Sequence, residues 1–151
     1  MKRLLSVILC VVCALLAGGC GGSETKTPPE GGGEGGVDVD LTAMSKTVAY
    51  AVINEIMANP GDYIGKTVKI NGPYANEYYD KTDLYYHYVV IEGDGACCIQ
   101  WLEFIRNGDH AFPEDYPPQQ EKIQVTGVFG SYDELGVTYY YLAADDMTVL
   151  A

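Results

Sequence analysis

Positive charge is what this chain has least of. Nine Lys and Arg face 21 Asp and Glu, a formal net charge of −12. Lys2 and Arg3 stand at the very start, and without them seven basic residues remain against 21 acidic ones, or −14. A field of that sign repels phosphate backbones, and no basic stripe overrides it locally. Nucleic acid is therefore not an expected partner, while cations, basic peptides and neutral ligands stay open. Serine is scarce as well. Beyond residue 44 only Ser45 and Ser131 occur, neither beside a histidine signature, so no catalytic constellation is visible and the chain reads as a non-enzyme. Histidine is limited to His87 and His110, and the folded part has no C-x₂-C ligand spacing. Long hydrophobic runs are missing too. The run from Leu4 to Leu16, broken only by Ser6, is shorter than the roughly 20 residues a bilayer span needs.

What that short run does have is the layout of an export signal: Lys2 and Arg3 before it, small residues after it. Cys10 and Cys13 lie inside it and leave with it, so their C-x-x-C spacing is no redox motif. Ala17-Gly18-Gly19-Cys20 resembles a bacterial lipobox, in which the cysteine is lipidated and becomes the mature N-terminus, although the strongest lipoboxes carry leucine where this chain has Ala17. An ordinary signal peptidase would cut the same bond and leave an exposed thiol outside the cell, a chemical liability. The expectation is a signal peptide over residues 1–19 and lipid attachment at Cys20. The chain is then held by its lipid on the extracytoplasmic face of a bacterial membrane, in the cell envelope. Residues 20–44 carry almost nothing apolar to bury and read as a Gly-rich flexible linker. Its glycines follow no strand and precede no Lys-Ser/Thr pair, so a phosphate loop is excluded.

Residues 45–151 have the size of one domain with a real core. It opens with a helix: Ser45 is placed to cap it, Val48, Ala49, Val52, Ile53 and Ile56 form a stripe at helical spacing, and Pro60 with Gly61 stops it. Five strands follow, in KTVKINGPY, LYYHYVVIEG, ACCIQWLEFI, KIQVTGVFGSY and VTYYYLAADDMTVL. Turn signals stand at Asn76–Asp83, Gly93–Gly95 and Asp133–Gly136. Gly72 and Gly127 fall inside strands, where glycine marks a bend or bulge of the kind barrel closure needs. Residues 106–120, with three prolines and no helical period, form a loop.

NPGDYIGKTVKINGPY, the ACC followed by LEF, and the late QVTGVF together resemble the OB-fold domains of exported bacterial lipoproteins, grouped with tRNA-anticodon-binding-like OB folds. The resemblance covers about residues 46–150. It implies a mainly β fold, a five-stranded Greek-key barrel with the first helix beside or across it. The helix that usually joins the third and fourth strands is replaced here by the Pro-rich loop. Nucleic-acid binding is not carried over with the family name, because fold does not fix function and the charge opposes it.

Two constellations carry candidate chemistry. Cys97 and Cys98 are adjacent. They read as small buried hydrophobes, as a strained and readily reduced vicinal disulfide in a thiol-redox-active envelope protein, or as soft ligands for zinc or copper with His87 on the neighbouring strand. Adjacent OB-fold cysteines also resemble those of metal-transport systems. In a regular strand the two sulfurs would point to opposite faces, and Ile99 with Trp101 stand in one phase while Leu102 with Phe104 stand in the other, so a bulge near Trp101 is expected. The second constellation is tyrosine, 13 in all. Tyr74, Tyr78, Tyr79, Tyr85, Tyr86 and Tyr88 gather on the first hairpin. Of these, Tyr78, Tyr79, Tyr86 and Tyr88 are the candidate ligand face, able to stack on a sugar or a peptide or to dock an envelope protein. The functional expectation is an extracytoplasmic binding module for a small ligand or soft metal ion, with redox protein and envelope scaffold as the alternatives.

The lipobox reading has a direct test. Cys20→Ala moves the protein from the membrane fraction to the soluble one, and mass spectrometry of the unmutated mature chain finds acyl mass on residue 20. A mature protein that is already soluble and carries no acyl group refutes it.

Overall fold

The computed structural model describes residues 36–95 and 98–151. The signal, Cys20 and Cys97 lie outside the described residues. In chain order the elements are β1 (Val39–Asp40), α1 (Lys46–Ala58), one turn of 3₁₀ helix (Pro60–Asp62), β2 (Thr67–Tyr79), β3 (Leu84–Glu92), β4 (Ile99–Arg106), β5 (Lys122–Glu134) and β6 (Val137–Val149). Among the described residues no helix is long and apolar enough to cross a membrane.

Ser45 caps α1 as its position suggests, its Oγ accepting from the Val48 amide at 3.4 Å. Ile53 and Ile56 are fully buried and Ala49 and Val52 pack beside them, whereas Val48 is half exposed. Five positions separate Val48 from Ile53, which at 100° per residue turns it well off the buried side. The helix is tied to the β3–β4 end of the sheet by Asn54, which accepts from Gln100 at 2.7 Å, and by Thr47, whose hydroxyl donates to Asp94.

Five strands close on themselves in the order β2-β3-β4-β6-β5, with β5 returning to β2, and β1 lies parallel along β2. β4 and β6 are parallel; the other barrel pairs are antiparallel. This is an OB-fold-like barrel preceded by one helix. β2 makes the closure. Its first half, Thr67 to Pro73, pairs with β5, and its second half, Tyr74 to Tyr79, pairs with β3. The change of partner falls at Gly72-Pro73. A Cβ on Gly72 would stand 2.0 Å from the Val90 carbonyl oxygen, so only glycine allows the crossing. A second pinch lies at Gly127, where the β5–β6 register steps from Thr126↔Asp146 to Gly127↔Ala144 and leaves Asp145 as a bulge. Strand alternation then fills the interior with Val68, Ile70, Val89, Ile91, Leu102, Phe104, Ile123, Val125, Phe129 and Leu142.

Three boundaries and one expected bulge differ from the sequence reading. The linker expectation, drawn to residue 44, is too long: Val39 and Asp40 pair with β2, and Leu41 is buried in the core. Of the three apolar side chains in VDVDL, Val39 and Leu41 pack against the core and attach this segment to an open strand edge. β2 runs on through the expected turn to Tyr79, because Tyr74 to Tyr79 find β3 partners throughout. β4 begins at Ile99, so Cys98 belongs to the turn and not to the strand; its carbonyl accepts from Gly93 N at 2.8 Å. No bulge occurs at Trp101, since the register runs unbroken from Glu92↔Ile99 to Tyr88↔Glu103. Both apolar phases of β4 are accommodated because its outer face is itself aromatic: Trp101 sits edge-on to Tyr88, centroids 5.4 Å apart. Between β4 and β5 the chain forms turns and no helix, in keeping with the three prolines.

The crossing at Gly72 makes a stability prediction. Gly72→Ala costs about 1–3 kcal/mol through overpacking against β3 backbone, whereas Gly61→Ala, which meets nothing within 4 Å, is nearly neutral. Urea denaturation of both variants checks the contrast, and equal midpoints would contradict it.

Candidate functional site

The thiol–histidine constellation does not assemble. Cys98 stands in the turn opposite Gly93, and Tyr50 of α1 lies close to that same glycine. His87 lies six positions earlier on β3, about 20 Å away at the usual rise per residue. A metal ion reaches its ligands at about 2.0–2.3 Å, so His87 and Cys98 cannot share one. His87 instead plugs the far mouth of the barrel. Its Nδ1 is 2.7 Å from the Tyr74 hydroxyl, and its ring stacks on Tyr116 at 3.8 Å and 12°. His110 is exposed on the loop, with Nε2 3.0 Å from the Asn107 carbonyl. Among the described residues no group of three His, Cys, Asp or Glu is arranged to hold a metal ion. The expectation of a zinc or copper site that joins Cys97, Cys98 and His87 is corrected in this respect: His87 is no part of it. The error has a physical origin. Strands joined by a turn are neighbours, yet β3 runs away from that turn for its whole length.

The tyrosine face is partly assembled, and in different company. Alternation sends Tyr78 to the other side of β2, where its hydroxyl donates to Asp83 at 2.8 Å and its ring meets Tyr85. Tyr79, Tyr86 and Tyr88 share the outer face. There they line a cleft of about 310 Å³ with Glu77, Glu103, Tyr132, Glu134 and Tyr139. All five barrel strands contribute. The cleft lies across β3 and β4, between the tips of the β2–β3 and β5–β6 hairpins. The second tip is a two-residue turn, with Leu135 and Gly136 both at positive φ, as a tight hairpin requires.

Hydrogen bonds set the walls. Tyr132 donates its hydroxyl to Glu103 at 2.7 Å, and Tyr86 donates to Glu134 at 2.5 Å with Thr82 Oγ1 2.9 Å away. Tyr139 stacks on Tyr132 at 5.6 Å, and Tyr141 meets Tyr132 edge-on behind them. Glu103 is only 5% exposed although it points outward, because phenol rings surround it. Those surroundings hold the phenols neutral. Burial first, then the hydrogen bond to Glu134, pushes Tyr86 up to about 12. Burial and the charge of Glu103 raise Tyr88, Tyr132 and Tyr141 as well.

Glu103 was within reach of the sequence. In Leu102-Glu103-Phe104 the flanking residues claim the interior, which puts the carboxylate on the outer face beside Tyr88. Glu77 was within reach as well, since the first hairpin sets it opposite Tyr86; Tyr132, Glu134 and Tyr139 were not, because they come from strands whose adjacency depends on how the barrel closes. No protein-family model matches the chain, and no curated protein matches it.

The phenols predict a pH dependence. Between the ordinary tyrosine value of 10 and the raised value of about 12 for Tyr86, the unfolded chain releases a proton that the folded chain keeps. Its contribution to stability is therefore complete below about pH 10 and is lost as pH rises toward 12. Urea midpoints measured from pH 8 to 11.5 should fall, and Tyr86→Phe should flatten part of that fall. Identical slopes for the two proteins would show that this phenol is not held neutral by the fold.

Proposed function

We propose that this chain is a binding module of the cell envelope, carried on a lipid at Cys20, whose ligand seats in the outer cleft. The single observation that carries the binding reading is the convergence of five tyrosines and three glutamates from all five strands on one cleft. Its position supports the reading. OB-type barrels take ligands on the face of their second and third strands, between the first–second and fourth–fifth loops, and here those strands are β3 and β4. Its composition supports a narrower range of ligands. With three carboxylates on that face, oligonucleotides are not the partner. The lipid attachment rests on Ala17-Gly18-Gly19-Cys20 and the apolar run before it.

The lone tryptophan of the chain reports on this site, because Trp101 touches Tyr88 at the edge of the cleft. A panel of organic amines, neutral oligosaccharides and nucleotides is titrated against Trp101 emission and the melting temperature. At least one class shifts both, as a ligand held only by the native state must. Tyr139→Ala and Glu77→Gln, two exposed cleft positions, diminish the shift, and Tyr78→Ala on the opposite side leaves it intact. Silence across the panel, or shifts blind to the cleft variants, defeats the proposal.

A further inference from the structure

The reading above places a ligand in the cleft; the chemistry of the lining says which. Resting on that reading, we infer that the cleft recognises an organic cation, a guanidinium or alkylammonium group. The described residues that line it are tyrosine and glutamate alone. Glutamate offers acceptors only, and a phenol has one proton to give. Tyr86 and Tyr132 already give theirs to Glu134 and Glu103, inside the cleft wall. What is left facing a ligand is rich in acceptors and negative charge. The complement is a group with several N–H donors and a positive charge, which excludes phosphates and carboxylates.

The rings point the same way. A tyrosine face attracts an ammonium or guanidinium through its quadrupole, and more strongly when water is displaced. The protein shows this with its own side chain: Lys81 Nζ lies 5.7 Å from the centre of Tyr79, one of the lining rings. Phenols held neutral by burial keep their polarised faces without adding charge. A neutral sugar would stack on the same rings, yet it would draw nothing from the negative charge of the lining. An inorganic cation would satisfy the carboxylates but gain nothing from five rings. An organic cation uses both, and a cleft of about 310 Å³ has room for one basic side chain or a short polyamine.

The test titrates the full chain with a hexa-arginine peptide, spermidine, maltohexaose and magnesium chloride, read by Trp101 emission and calorimetry. The peptide or spermidine binds, weakens at least about tenfold when salt rises from about 0.02 to about 0.5 M, and weakens about tenfold in Glu103→Gln. Glu77→Gln, at an exposed position, supplies the same readout should Glu103→Gln fold poorly. Tyr139→Ala weakens binding several-fold, which attraction to an acidic surface alone would not produce. Preference for the peptide assigns the cation to a protein partner, and equal binding of spermidine assigns it to free amines. Binding of maltohexaose at the cleft with no response to either amine overturns the cation and leaves the binding module standing. Magnesium binding as well as the amines overturns the role of the rings. No response to any of the four overturns the inference and counts against the module itself.

Discussion

Everything in this molecule depends on β2 changing partners at Gly72. A strand with one partner throughout would leave an open sheet with an exposed edge. By passing from β5 to β3 in mid-course, β2 closes five strands into a barrel. The crossing is permitted by the absence of a side chain where the Val90 carbonyl lies 2.0 Å from the Cβ position. Pro73, next in line, has no amide hydrogen to leave unmatched, and the Tyr74 amide donates to Glu121 as the chain resumes pairing. The consequence is felt far away. Closure brings the β2–β3 and β5–β6 hairpins to the same side of the sheet, so Tyr86 can donate to Glu134, 48 residues further on.

Alternation then divides the side chains into two sets with different work. The inward set closes the barrel with apolar residues, under Ile53 and Ile56 at one end and around Tyr74, His87 and Tyr116 at the other. A histidine in such a place has to find a hydrogen-bond partner, and Tyr74 provides it. That bond is worth about 0.5–1.5 kcal/mol net, while the cost of breaking it, with a buried polar atom left over, is larger. His87 is therefore explained by packing. The outward set on β3 and β4 is free of the core, and there the chain places Tyr86, Tyr88, Trp101 and Glu103, with Tyr88 directly opposite Glu103.

Much of the fold was legible in the sequence, and the reason is periodicity. Alternating residues located all five barrel strands, helical spacing located α1, and glycine inside strands located both pinches. Contacts set by closure were not legible. Val39 and Asp40 look like linker until β2 offers them an edge. Tyr78 and Tyr79 look equivalent until alternation sends them to opposite faces. Cys98 and His87 look like neighbours because a turn joins their strands, and only the register shows Cys98 in the turn opposite Gly93, six positions along β3 from His87. The cleft repeats the lesson. Three of its five tyrosines, and Glu77 beside them, could be read from the first hairpin, but Glu103 and Glu134 come from β4 and β5, and what brings those strands to the hairpin is the closing of the barrel.

A cleft built this way is rigid before anything enters it. Its residues stand on strands or at strand ends, each in a ladder with at least one neighbouring strand, and the two hydroxyl–carboxylate bonds join the hairpin tips to the sheet beneath. Side chains already held in place give up little freedom on binding, so more of the interaction with a ligand remains as affinity. The same arrangement places charge where it costs the fold least. A carboxylate inside the barrel would face only hydrocarbon, whereas Glu103, nearly as hidden, is surrounded by polarisable rings and a phenolic donor. The acidic field of the whole chain draws cations toward that face and raises the rate of encounter. For the proposed cation, specificity then falls to the part of the cleft that the field cannot supply, the ring faces of five tyrosines around three carboxylates.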